Sequence, residues 1–182
     1  MALTFWRQLI EVSQEHLKSE SELKEYRQKE TEQKQRITYM EGFLSIITNS
    51  EYREVCNEYL AFPFEISEKN HHRFTGDYRK EQDKLKQLQA TTRYWQNESS
   101  RTHCLLLYKL LPSVMQYRNE EDCQPFYCPT ELLTTENLAI LKFIRDFAYH
   151  WADEMFRGMG GYVNEESVIG NLAKRIEAFE KS

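Results

Sequence analysis

Leu9, Val12, His16, Ser19, Leu23, Tyr26, Glu30, Gln33, Ile37, Met40, Leu44 and Ile47 follow one another by alternating steps of three and four residues. Eight of these twelve are apolar, and neither Gly nor Pro occurs before Gly42. That spacing keeps a narrow stripe on one side of an α-helix, so residues 1–48 are predicted to form a long amphipathic helix. Its seam needs a helical partner, as in a coiled coil or a helical hairpin. Glu30 and Gln33 break the seam in its middle, which either weakens it or specifies a register. Half of the residues from Glu11 to Arg36 are charged, seven acids and six bases, the pattern of a solvated helix face.

Phe74, Tyr78, Leu85, Leu88, Thr92 and Trp95 repeat the spacing, with Glu81 and Gln82 at one polar turn. A second long helix is therefore predicted from about Thr75 into the low 110s, where Pro112 ends or kinks it after the block Leu105, Leu106, Leu107, Leu110 and Leu111. The simplest assembly packs the two long helices antiparallel. The connector between them carries a short helical pattern (Tyr52, Val55, Cys56, Tyr59, Leu60) closed by Pro63. Two prolines and an acidic cluster make 118–134 a loop. A third helix is expected from Thr135, as N-cap, to Arg157, with Leu138, Leu141, Ile144, Ala148 and Trp151 on one stripe and Gly158, Gly160 and Gly161 as its stop. A last helix is expected after an Asn164 cap, burying Val168, Ile169, Leu172, Ala173, Ile176 and Phe179.

The reading is an all-α chain, a four- to five-helix bundle with a long N-terminal helical hairpin or coiled-coil-like extension. Its parts are the helix 1–48, a connector 49–74 and a helical domain 75–182. Only six Gly and four Pro among 182 residues disfavour a design of many tight β-turns. Eleven Tyr, ten Phe and three Trp supply the bulk that a disordered chain lacks.

A net charge of −5 excludes a uniformly basic protein that coats nucleic acid. A local basic stretch survives that exclusion. Residues 69–93 hold seven bases against three acids, and Arg73, Arg79, Lys80 and Lys84 are candidates for phosphate contacts. The same charges also suit a solvated helix face with internal ion pairs. No apolar run approaches a membrane span or an export signal, so a cytoplasmic protein without a membrane partner is expected. Cys56, Cys104, Cys123 and Cys128 form no Cys-x-x-Cys pair and read as reduced thiols. Asn70-His71-His72-Arg73 has no completing ligand at helical spacing and reads as a solvated loop, so no metal site and no cofactor are expected. His103-Cys104, before the leucine block, reads as core edge.

The segment with most chemical content is Ile144-Arg145-Asp146-Phe147-Ala148-Tyr149-His150 inside the third helix. An Arg followed, after four residues, by a His resembles the signature of HEPN domains, helical domains of which many are metal-independent endoribonucleases. A polar residue often follows the Arg in that family, and Asp146 matches. The apolar helix leading into the motif, the Gly-bearing loop after it and the closing amphipathic helix match as well. The resemblance spans residues 75–182 at most. One branch of the family has Tyr two places after the His, where this chain has Ala152.

The resemblance implies an RNase, with toxin or antiviral effector roles in view, in which Arg145 holds a phosphate and His150 moves a proton. Such chemistry is physically reasonable for the pair. A guanidinium grips phosphoryl oxygens in a fork without losing its charge, and an imidazole exchanges protons near neutrality. Five residues turn a helix by about 140°, so Arg145 and His150 do not share a stripe. The family resolves this by bringing two motif helices to a shared cleft, which implies a homodimer. RNA, a second copy, and a protein partner or antitoxin are the partners implied. Without the resemblance, Arg145 also reads as the structural partner of Asp146, Tyr149 or a neighbouring helix, and His150 as a satisfied interfacial histidine. The functional alternative is a non-enzymatic interaction or scaffold module acting through the N-terminal seam.

Overall fold

The computed structural model describes residues 1–48, 68–115, 120–156 and 167–181. Every element among them is helical: α1 (Ala2–Thr48), α2 (Glu68–Cys104), a π-helical turn (Leu105–Leu110), α3 (Pro112–Met115), α4 (Glu120–Cys123), two 3-10 turns (Gln124–Phe126 and Thr130–Leu132), α5 (Thr135–Phe156) and α6 (Val168–Glu180). The all-α reading holds, and no strand occurs among the described residues. No described helix is long and apolar enough to cross a membrane. The helical pattern at Tyr52–Leu60, Cys56, Pro63, the glycine stop after Arg157 and the Asn164 cap lie outside the described residues.

The chain divides into two compact units, Met1–Glu20 with Asn97–Ser182, and Ser21–Gln96. These do not follow the linear boundaries drawn from the sequence, because the first turns of α1 pack with the C-terminal half of the chain.

In the unit Ser21–Gln96, α1 and α2 pair antiparallel. The Phe43 and Phe74 rings meet at 5.0 Å, and the Tyr78 hydroxyl donates to Glu41 Oε1 at 2.6 Å. The polar interruption of one seam meets that of the other. Gln33 Nε2 donates to Glu81 Oε2 at 2.7 Å and to the Glu81 carbonyl at 2.9 Å. Lys84 reaches Glu81 Oε1 at 2.7 Å and Arg36 lies 3.5 Å from Oε2, so the buried carboxylate is compensated on both oxygens. Gln33, then Lys84, hold the Glu81 carboxyl below its usual range. A slip of one heptad would set this carboxylate opposite Tyr26 or Met40 and break both bonds from Gln33, so the polar layer favours the observed register.

The other unit has one apolar core. Trp6, Leu9, Ile10 and Val12 of α1 meet Leu106, Leu110, Leu111 and Val114, the α5 residues Ile140, Leu141, Ile144, Ala148 and Ala152, and Val168, Ile169, Leu172 and Ile176 of α6. The π turn precedes Pro112, which has no N–H to offer the carbonyl four residues back. Leu111 N–H instead bonds the Leu106 carbonyl at 2.8 Å, five residues back, and the wider turn buries Leu106, Leu107 and Leu110 together. The segment 118–134 includes described turns rather than a featureless loop. Trp6 Nε1 donates to the Phe126 carbonyl at 2.8 Å, and Arg175 donates to the Cys128 carbonyl and, at 2.8 Å, to Thr130 Oγ1. Cys123 and Cys128 are buried free thiols, and burial pushes Cys128 up to about 11.

One cap differs from expectation. The hydroxyl accepting at the start of α5 is that of Thr134, from Asn137 N–H at 3.2 Å, not Thr135. At α6 it is Ser167, accepting from Gly170 N–H at 3.0 Å.

Candidate functional site

Helix α5 turns Leu141, Ile144 and Ala148 into the core, and this fixes where the residues between them point. Asp146, Tyr149 and His150 are exposed, and the Arg145 side chain is 23% exposed at the margin of the same face. Arg145 Nε donates to Asp146 Oδ1 at 2.7 Å. That bond, with the charges of Asp146, Tyr149 and Glu180 around it, raises the affinity of the guanidinium for its proton further. Beside it Lys142 pairs with Glu180 of α6. The His150 ring stands edge-on to Trp151, with centroids 5.2 Å apart.

The structure therefore joins Arg145 to Asp146 directly and places His150 on the outer side of the same helix. No hydrogen bond or ion pair links Arg145 to His150 among the described residues. Ala152, where one HEPN branch has Tyr, is buried in the core, so that position faces away from His150's solvent.

Arg73, Arg79, Lys80 and Lys84 belong to α2 in the other compact unit. Lys80 Nζ lies 3.5 Å from Asp77 Oδ1, Lys84 is bound to Glu81, and Lys86 lies 3.2 Å from Asp83. The locally positive stretch thus spends three of its cations on its own three acids, because acids three residues before each lysine share its helix face. Arg73 and Arg79 are exposed. His72 and Arg73 sit on α2 rather than in a solvated loop, since nothing from Glu68 to Gly76 interrupts a helix strongly enough to stop it. Among the described residues no group of three or more His, Cys, Asp or Glu side chains is placed to hold a metal ion.

A second group of side chains was legible only as scattered seam and core-edge positions. His16 is 6% exposed, and its Nδ1 lies 3.0 Å from Thr102 Oγ1. Its ring is 5.6 Å from that of His103, 6.1 Å from Phe143 and 6.0 Å from Phe147. His103 in turn packs edge-on against Phe147 at 5.5 Å and Trp151 at 5.1 Å. The signal in the sequence was a histidine at a seam position, and its partner 87 residues later could not be paired with it by spacing. Cys104, next to His103, is exposed.

No protein-family model, no curated protein and no solved structure matches this chain.

Proposed function

We propose that the outer face of α5 is a metal-independent RNA-cleaving site of the HEPN type, acting in a symmetric dimer. The observation that carries this reading is that Asp146 and His150 are exposed, and Arg145 is partly so at their margin, on a helix whose alternate face is locked into the core. Had either cation been buried within the core of one chain, it could not meet RNA.

In this reading Arg145, oriented by Asp146, holds two phosphoryl oxygens as negative charge grows on them. The ribose 2′-oxygen forms its bond to phosphorus as the bond to the 5′-oxygen breaks. The 2′-hydroxyl proton passes to one imidazole, and a proton from the other copy's imidazole goes to the departing 5′-oxygen. The products are a 2′,3′-cyclic phosphate and a 5′-hydroxyl. A second copy supplies the second imidazole, which is why one chain by itself is incomplete.

The test is RNA cleavage by the full chain in EDTA. Wild type is expected to yield cyclic-phosphate ends, and His150→Ala or Arg145→Ala to lose about 10²- to 10⁴-fold in rate while keeping the wild-type helical spectrum. Equal cleavage by wild type and both variants overturns the assignment, as does no cleavage by a dimeric wild type.

A non-enzymatic helical interaction module is the second reading. It is favoured by the Arg145–Asp146 bond, which already engages the guanidinium Nε as a structural ion pair does. Of the N-terminal seam through which it would act, Leu9, Val12, Leu23 and Ile37 are buried within this chain, while Tyr26, Met40 and Leu44 are partly exposed.

A further inference from the structure

The imidazoles of His16 and His103 occupy a box whose walls are aromatic. His16 comes from α1, His103 from α2, and Phe143 and Phe147 from α5, so three helices meet at one pair of titratable rings. Thr102 Oγ1 lies 2.9 Å from the Glu98 carbonyl and 3.0 Å from the Ser99 carbonyl, to which its hydroxyl can only donate. The same hydroxyl faces His16 Nδ1 at 3.0 Å, as donor or acceptor according to the ring's tautomer. A second proton on this ring enters a buried side chain with another imidazole beside it.

Among the described residues, the titratable groups acting on His16 are Glu20 of α1 and His103 of α2. Helix α5 presents it with Phe143 and Phe147, and His150 of the same helix packs against Trp151, whose ring also meets His103. Glu20 accepts from Ser99 Oγ, so its carboxylate is partly engaged elsewhere.

We propose that the His16–His103 box is an acid-sensitive latch, in which mild acidification loosens the packing of α1 against α2 and α5 in this unit. The device stands independently of any activity at Arg145 and His150. Its sign follows from the side chains. Burial, reinforced by His103, pushes the His16 imidazole below its ordinary value, against the pull of Glu20 and the Ser99 carbonyl. The unfolded chain takes up this proton near pH 6.5, before the folded one does. Stability is therefore complete above about pH 6.5. It falls as the pH drops from there towards the lower folded value. The unfolding constant rises by at most about tenfold per pH unit in that window. Carboxylates such as Glu81 act only near pH 4 and below, outside it.

The test uses the full chain at pH 7.5, 6.5 and 5.5. The urea midpoint of wild type is expected to fall over this range, and that of His16→Phe to stay level. A level wild type, or a parallel fall in the variant, overturns the latch. A ring-proton titration followed by NMR covers the case in which His16→Phe does not fold. There the His16 signal is expected to titrate below the ordinary histidine value of about 6.5. Glu20→Gln should move it lower and His103→Gln higher. If His16 titrates at or above that value, or neither variant moves it, the proposal fails.

Discussion

Trp6 shows how much one side chain can hold in a helical body of this size. It is fully buried, it lies one step of three before Leu9 on the α1 seam, and its indole N–H satisfies the Phe126 carbonyl. Replacing it by Phe keeps an aromatic ring but removes the indole donor to the Phe126 carbonyl and leaves a gap where the second ring was. Trp6→Phe should therefore cost about 1–3 kcal/mol of unfolding free energy in urea titration. Tyr108→Ala, at an exposed side chain, should stay within about 0.5 kcal/mol. Equal costs for the two would show that Trp6 is not a structural anchor. The candidate site was partly legible at this scale. The apolar stripe through Ile144 and Ala148 was read from the sequence, and Asp146 and His150, off that stripe, are exposed while Arg145 is partly covered. The bond between Arg145 and Asp146 was one of several pairings open to that guanidinium, and spacing could not choose among them.

At the scale of elements, the apolar positions named for α5 and α6 include the buried Leu141, Ile144, Ala148, Val168, Ile169, Leu172 and Ile176. Ends were harder to read than faces. Helix α2 begins at Glu68 rather than near Thr75, because a polar tract continues a helix without leaving any apolar period to detect. Gly42 and Gly76 both sit inside long helices, where a Cβ would meet open space. Nothing in the packing requires either glycine, and each gives the unfolded chain extra freedom. Gly42→Ala and Gly76→Ala should each stabilise the antiparallel helix pair by about 0.5–1 kcal/mol, read as a higher midpoint in thermal melts followed by helix ellipticity. A lower midpoint would reveal a contact or bend that depends on glycine.

For the molecule as a whole, the core that holds α5 and α6 contains Trp6, Leu9, Ile10 and Val12 but, among the described residues, none from Ser21 to Gln96. Removing residues 1–48 would strip that core of four buried side chains, so such a truncation tests folding rather than partner binding. The opposite excision is the informative one. Glu20 accepts from Ser99 Oγ, which brings the two chain segments side by side where the unit begins. Replacing Ser21–Gln96 by a short Gly-containing turn should leave a cooperatively folding, helical product. A product without a sigmoidal urea transition would show that the helix pair is needed to hold the core together.

Sequence by itself determined that this chain is helical, where each helix turns its apolar face, and that α1 needs a partner along its length. Those properties rest on periods of three and four residues, which are local. Tertiary structure decided the rest. It chose α2 as that partner, matched Gln33 to Glu81, joined the first twenty residues to the last half of the chain, and gathered His16 and His103 into one aromatic box. Each of these pairs residues far apart in the chain. A seam shows that it must be covered, but its spacing is common to every helix able to cover it. Only the packed core and its satisfied polar layer select one pairing.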